Sequence, residues 1–192
     1  MNLNLSSYVQ NINFLSYKEC QSIISELERK NVWREYPYNS PKDNICVKEN
    51  PAIPYYDCRL PESHWISQKI QSKVKEATDQ YIKEFLHDFT WFSYWTGNSQ
   101  AHYIKYPKGT GMETHCDHVR NQFDGSRRGI PLLSLLVMLN DNYKGGNLLF
   151  WEQNEIKPAA GNGLIFPSNF LYPHKVQEVT EGTRYSFIIW IW

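Results

Sequence analysis

Hydrophobic positions along the chain fall into two regimes. Up to about residue 90 they recur every three or four positions, and beyond it they come in short runs broken by Gly, Pro, Asn and Asp. Cys20, Ile23, Ile24 and Leu27 share one helical face. Ser16-Tyr17-Lys18-Glu19 just ahead of them fits a capping box, in which the serine hydroxyl and the glutamate side chain each satisfy a backbone N–H of the other. This predicts a helix from about Tyr17 to Lys30. Trp65, Ile66, Ile70, Val74, Ala77, Tyr81, Ile82 and Phe85 predict a second, long amphipathic helix from about His64 to Leu86. Between the two, Tyr36 to Glu62 holds Pro37, Pro41, Pro51, Pro54 and Pro61, which forbid a long helix and confine any strand to an edge. That stretch reads as loop with short edge strands, either a flap over a site or an ordinary surface connection.

The second regime reads as strands. The predicted runs are Gln100 to Tyr106, Glu113 to Asp117, Leu132 to Leu139, Asn147 to Trp151, Gly163 to Phe166, His174 to Val179 and Arg184 to Trp192. Two helices followed by a series of strands, with no alternating β-α pattern, argue for an α+β chain. The expected architecture is a double-stranded β-helix (jelly-roll, cupin-like) core with the N-terminal helices packed on its major sheet. At 192 residues the chain is expected to form one domain, with residues 1–90 as helical support and Pro-rich loop and residues 91–192 as the β core.

Composition narrows the function classes. Lys plus Arg and Asp plus Glu are 20 each, so no global field draws the chain to nucleic acid or an anionic membrane. The apolar runs Leu132 to Leu139 and Phe187 to Trp192 are far shorter than the roughly 20 residues of a membrane helix. No signal peptide is legible at the N-terminus. Cys20, Cys46, Cys58 and Cys116 form no C-x-x-C pair and no regular spacing, so reduced thiols in a cytoplasmic setting are expected. Aromatic residues make up 15%, which suits a β core or a groove that grips an extended ligand.

The candidate chemistry lies in His115-Cys116-Asp117, His174 and Arg184. Alternate side chains of a strand share a face, so His115 and Asp117 are expected to point one way and Cys116 the other. His174, opening a strand after Pro173, would supply a third donor. Two nitrogens and a carboxylate on one face leave open positions on ferrous iron, and the same donors could hold zinc with a water. The planar fork of Arg184 suits a carboxylate. His64, His87, His102 and His118 are expected to lie outside the site. The loop Val119 to Pro131, with Arg120, Arg127 and Arg128, is either a substrate loop or a solvated surface.

Taken in order, these pieces resemble a known family. They are Tyr106-Pro107-Lys108-Gly109, His115-Cys116-Asp117, Gly145-Gly146-Asn147-Leu148-Leu149-Phe150, Pro158-Ala159-Ala160-Gly161, Phe166-Pro167, His174-Lys175-Val176-Gln177 and Thr183-Arg184-Tyr185 running into Trp190. The set resembles the Fe(II) and 2-oxoglutarate dependent oxygenases, specifically the prolyl 4-hydroxylase type, over about Ala101 to Trp192. The resemblance implies that His115, Asp117 and His174 hold Fe(II) and that Arg184, with Tyr106 adding a hydroxyl, binds the cosubstrate. It implies 2-oxoglutarate and O2 as cosubstrates, with ascorbate as a candidate auxiliary reductant. Related halogenases lack the carboxylate found here at Asp117, so hydroxylation is the implied outcome. The implied substrate is a prolyl residue in a peptide or protein.

The chain departs from the family pattern in places. Met112 stands where members often have a tyrosine, and Leu135-Leu136-Val137-Met138-Leu139 lacks a tyrosine that some members place before the Gly-Gly turn. Alternatives are an oxygenase acting on free proline, another amino acid or alkylated nucleic acid, and a non-catalytic jelly-roll metal-binding module. Nucleic-acid demethylases of the family carry a second arginine where this chain has Trp190.

Overall fold

The structure is a computed structural model that describes residues 4–36, 54–86, 97–117 and 131–192. The Pro-rich segment 37–53, the loop 118–130, Cys46, His87 and His118 lie outside the described residues, and so do the expectations that rest on them.

After a short 3-10 turn (Leu5–Tyr8) come β1 (Gln10–Asn13), α1 (Tyr17–Lys30), β2 (Arg34–Glu35), β3 (Tyr56–Arg59) and α2 (Trp65–Leu86). The strands β4 (His102–Pro107), β5 (Met112–His115), β6 (Leu133–Met138), β7 (Lys144–Gly145) and β8 (Leu148–Phe150) follow. The chain ends with β9 (Asn154–Ile156), β10 (Asn162–Pro167), β11 (His174–Val176), β12 (Val179–Glu181) and β13 (Thr183–Ile191). A seven-stranded major sheet runs in the order β1-β10-β6-β13-β4-β3-β2, and a four-stranded sheet in the order β5-β11-β8-β9. The pairings are antiparallel. This is the α+β jelly-roll expected from the sequence.

The capping box forms as read: the Glu19 carboxylate accepts the Ser16 N–H at 2.6 Å, and Ser16 Oγ accepts the Glu19 N–H at 3.3 Å. Helix α1 buries Cys20, Ile23 and Leu27, and α2 buries Ile66, Ile70, Val74, Ala77 and Tyr81. Trp65, read as part of that stripe, is instead 48% exposed at the helix start. Both helices pack on the outer face of the major sheet, against Leu133, Leu135, Val137, Ile165, Phe187, Ile189 and Tyr103.

Period-two alternation sends the other residues of the same strands inward. Leu136, Met138, Leu164, Phe166, Ile104, Tyr106 and Ile188 meet Leu148, Phe150 and Val176 of the smaller sheet. The near-continuous apolar run of β6 follows, because both of its faces are covered. The expected Glu113 to Asp117 strand ends early: β5 stops at His115, and Asp117 lies in the bend that follows. Among the described residues no helix is long and apolar enough to cross a membrane.

Candidate metal centre

His115 and His174 are direct cross-strand partners where β5 meets β11, and Phe150 pairs with His174 from the other side. The two imidazoles lie 4.5 Å apart between ring centroids. Each ring is oriented through its own backbone: His115 Nδ1 lies 2.8 Å from Glu113 O and His174 Nδ1 lies 3.1 Å from Tyr172 O. A carbonyl only accepts, so each Nδ1 carries a proton, and in the neutral ring Nε2 is the atom with the lone pair.

Both lone pairs face Asp117, whose Oδ1 is 3.6 Å from His115 Nε2 and 3.8 Å from His174 Nε2. Those separations exceed a hydrogen bond. One ligand atom from each of the three residues lies within 4.8 Å of the others, and the cluster is inside the jelly roll. Asp117 Oδ2 is buried without a partner. A buried anionic oxygen is costly unless a cation meets it, so the donor set fits a divalent metal.

The electrostatics agree. Burial alone would raise the Asp117 carboxyl, but the imidazoles of His174 and His115 bring it down to about 2. Burial pushes His174 down to about 4 against the pull of the Asp117 carboxylate. For His115, burial disfavours the charged ring, yet the same carboxylate outweighs it and moves the group up. At neutral pH the site therefore holds an ionised carboxylate and a neutral His174, the forms that bind metal.

Arg184 sits near the start of β13, opposite Tyr106 on β4, and is 1% exposed. Its Nη1 donates to Ser186 Oγ at 2.8 Å, and its guanidinium carbon lies 5.2 Å from the centre of the Tyr106 ring. Nε and Nη2 are buried without partners, and among the described residues no carboxylate pairs with this cation. Such a group calls for an anion from outside the chain. Gly146, in the turn before β8, packs against this arginine. A Cβ there would stand 3.1 Å from Arg184 Cδ.

The Tyr106 hydroxyl faces the sulfur of Met112 at 3.9 Å. Tyr106 thus meets the residue that stands in place of the family tyrosine.

Three side chains of this interior were missed in the sequence. Ser134, the one polar residue of β6, and Ser186, which shares the inward face of β13 with Arg184, are both buried, and Ser134 helps hold the Asp117 carboxyl down. A lone serine in the apolar run of β6 was the available signal. His102, placed outside the site, faces inward: its Nε2 is 2.5 Å from Asp57 Oδ2 and its ring 6.2 Å from that of Trp190.

The chain is similar to several known proteins. A family model described as the 2OG-Fe(II) oxygenase superfamily matches residues 101–192. A PKHD-type hydroxylase of Prochlorococcus marinus (strain MIT 9312) is 27% identical over 191 residues, covering 94% of this chain and 78% of its own. The viral collagen prolyl hydroxylase of Paramecium Bursaria Chlorella virus-1 superposes with a TM-score of 0.68 at 19% identity, over 96% of this chain and 94% of that one. A prolyl hydroxylase in complex with a hypoxia inducible factor peptide fragment, from Trichoplax adhaerens, gives 0.69 at 21% identity, over 96% and 83%. Residues 101–192 match the 2OG-Fe(II) oxygenase superfamily and the chain has the fold of prolyl hydroxylases, which together indicate a 2-oxoglutarate-dependent dioxygenase.

Proposed function

We propose that this enzyme hydroxylates a prolyl residue in a peptide or protein, with His115, Asp117 and His174 holding Fe(II) and Arg184 holding the distal carboxylate of 2-oxoglutarate. The observation that carries the reading is the pairing of two unmet demands inside one jelly roll. Among the described residues Asp117 Oδ2 has no hydrogen-bond partner and calls for a cation, and Arg184 Nε and Nη2 have none and call for an anion.

Each side chain has a definable task. Asp117 supplies the negative charge of the metal site, and the backbone carbonyls of Glu113 and Tyr172 keep both Nε2 lone pairs aimed at it. Phe150 and Phe166, each 5.1 Å from the His174 ring, exclude water from that side. Ser186 and the face of Tyr106 fix the guanidinium so that its two remaining donor nitrogens are free to meet a carboxylate. Fe(II) with 2-oxoglutarate and O2 supplies the oxidation, giving succinate and CO2 and leaving one oxygen atom in a substrate C–H bond.

The choice of a prolyl substrate rests on the names of the structural relatives, one bound to a peptide fragment and one described as a collagen prolyl hydroxylase. Succinate release is the test. Ascorbate is included as auxiliary reductant, and the substrates are a library of proline-containing peptides, free proline and a methylated oligonucleotide. Turnover restricted to peptides is the expected result. Turnover with free proline or the oligonucleotide alone reassigns the substrate, and none with any substrate removes the prolyl assignment.

A further inference from the structure

Trp151 and Glu152, which join β8 to β9, both lie at positive φ, 52° and 57°. Gln153 N donates to Phe150 O at 3.1 Å across them. This is a β-turn with both central residues left-handed, set in the three-residue link between Phe150 and Asn154, and such a turn normally takes Asn-Gly because a side chain with a Cβ resists the left-handed region. A tryptophan followed by a glutamate is a poor local choice. Strain of this kind persists only where the surroundings impose it.

The contacts that impose it converge on the two histidine segments. Trp151 donates its backbone N–H to Pro173 O at 3.1 Å and its indole N–H to Leu171 O at 2.7 Å. The Glu152 carboxylate accepts the Thr114 hydroxyl at 2.7 Å and the Lys175 ammonium at 2.7 Å. Thr114 directly precedes His115, while Pro173 and Lys175 flank His174. One turn thus holds the residues on both sides of His174 in the chain and the residue before His115. The pairing it spans is weak, because the register of β5 against β11 slips between His174 and Val176.

We propose that Glu152 is a positioning residue, clamping Thr114 to Lys175 so that His115 and His174 keep the spacing a metal requires. This rests on the reading of His115, Asp117 and His174 as metal ligands. Glu152 bonds to the neighbours of the imidazoles and acts through them. Its side chain is 56% exposed, so the ion pair adds little to global stability, and its effect falls on local register.

Glu152→Gly separates the two roles, because glycine relieves the backbone at φ 57° while removing the clamp. Mn(II) affinity of the full chain is measured by the electron paramagnetic resonance of free Mn(II), beside the melting temperature of the metal-free protein. The expected result is about tenfold weaker Mn(II) binding, with the melting temperature unchanged or raised. Glu152→Gln, whose amide oxygen still accepts the Thr114 hydroxyl, should recover part of the affinity. It also gives the same comparison if the glycine variant fails to fold.

Mn(II) affinity within twofold of the parent in both variants, or a loss that only tracks a fall in melting temperature, overturns the clamp. A parent that binds no Mn(II) removes the metal-centre reading itself and the clamp with it.

Discussion

Gly146 and Arg184 share one packing site: a Cβ on the glycine would stand 3.1 Å from Cδ of the arginine and 3.0 Å from Cγ2 of Val179. The glycine also sits at φ 62°, where a side chain costs about 1–2 kcal/mol. Gly146→Ala should therefore lower the melting temperature and displace the guanidinium. Kinetics of succinate release should give a KM for 2-oxoglutarate that rises more than kcat falls. A destabilised variant with an unchanged KM would mean that Arg184 keeps its place.

Removing the unmatched cation should have opposite effects on stability and binding. Arg184→Met takes out of the core a buried charge that no carboxylate among the described residues pairs with, and the metal-free protein should gain about 1 kcal/mol or more, read from its denaturant midpoint. Affinity for 2-oxoglutarate should fall by more than tenfold, since each charge-assisted hydrogen bond contributes about 1.5–3 kcal/mol. Arg184→Lys keeps the charge but not the fork and should fall between. A methionine variant that is less stable than the parent would show that the guanidinium is already satisfied.

The acid limb of stability should report Glu19. Its hydrogen bond with Lys69, and then the one from the Ser16 backbone N–H, hold the carboxyl down to about 2 from an ordinary 4.5. A depressed folded-state value means stability that is complete above about 4.5 and lost as pH falls toward 2. Glu19→Gln should flatten that window. At neutral pH it should cost roughly 1 kcal/mol through the weakened cap. Thermal melts between pH 2 and 7 check both, and parallel curves for the two proteins would contradict the assignment.

What the sequence disclosed depended on whether a local pattern carried the physics. Helices α1 and α2 were legible because a capping box and a regular apolar stripe are local signals, and both form. Strand β1 was missed because Gln10-Asn11-Ile12-Asn13 buries only Ile12 and is held at the sheet edge by backbone pairing with β10. The two-residue β2 and β7 are likewise set by their partners.

The site followed the same rule. The histidines and the aspartate could be picked out by type and order, and the structure brings them together. Asp117 reaches His115 from a bend and not, as expected, from the same strand. The inward turn of His102 toward Asp57, and the grip of Glu152 on Thr114 and Lys175, join residues between 23 and 45 positions apart that no spacing rule connects.

The most direct test of the account is calorimetric titration of 2-oxoglutarate into the protein with and without Mn(II), for the parent and for Asp117→Ala. If the three donors and Arg184 serve one site, Mn(II) should tighten 2-oxoglutarate binding in the parent, and 2-oxoglutarate should tighten Mn(II) binding by the same factor. Asp117→Ala should abolish that dependence. Equal 2-oxoglutarate affinity with and without metal in the parent, or an unaltered dependence in Asp117→Ala, would contradict it.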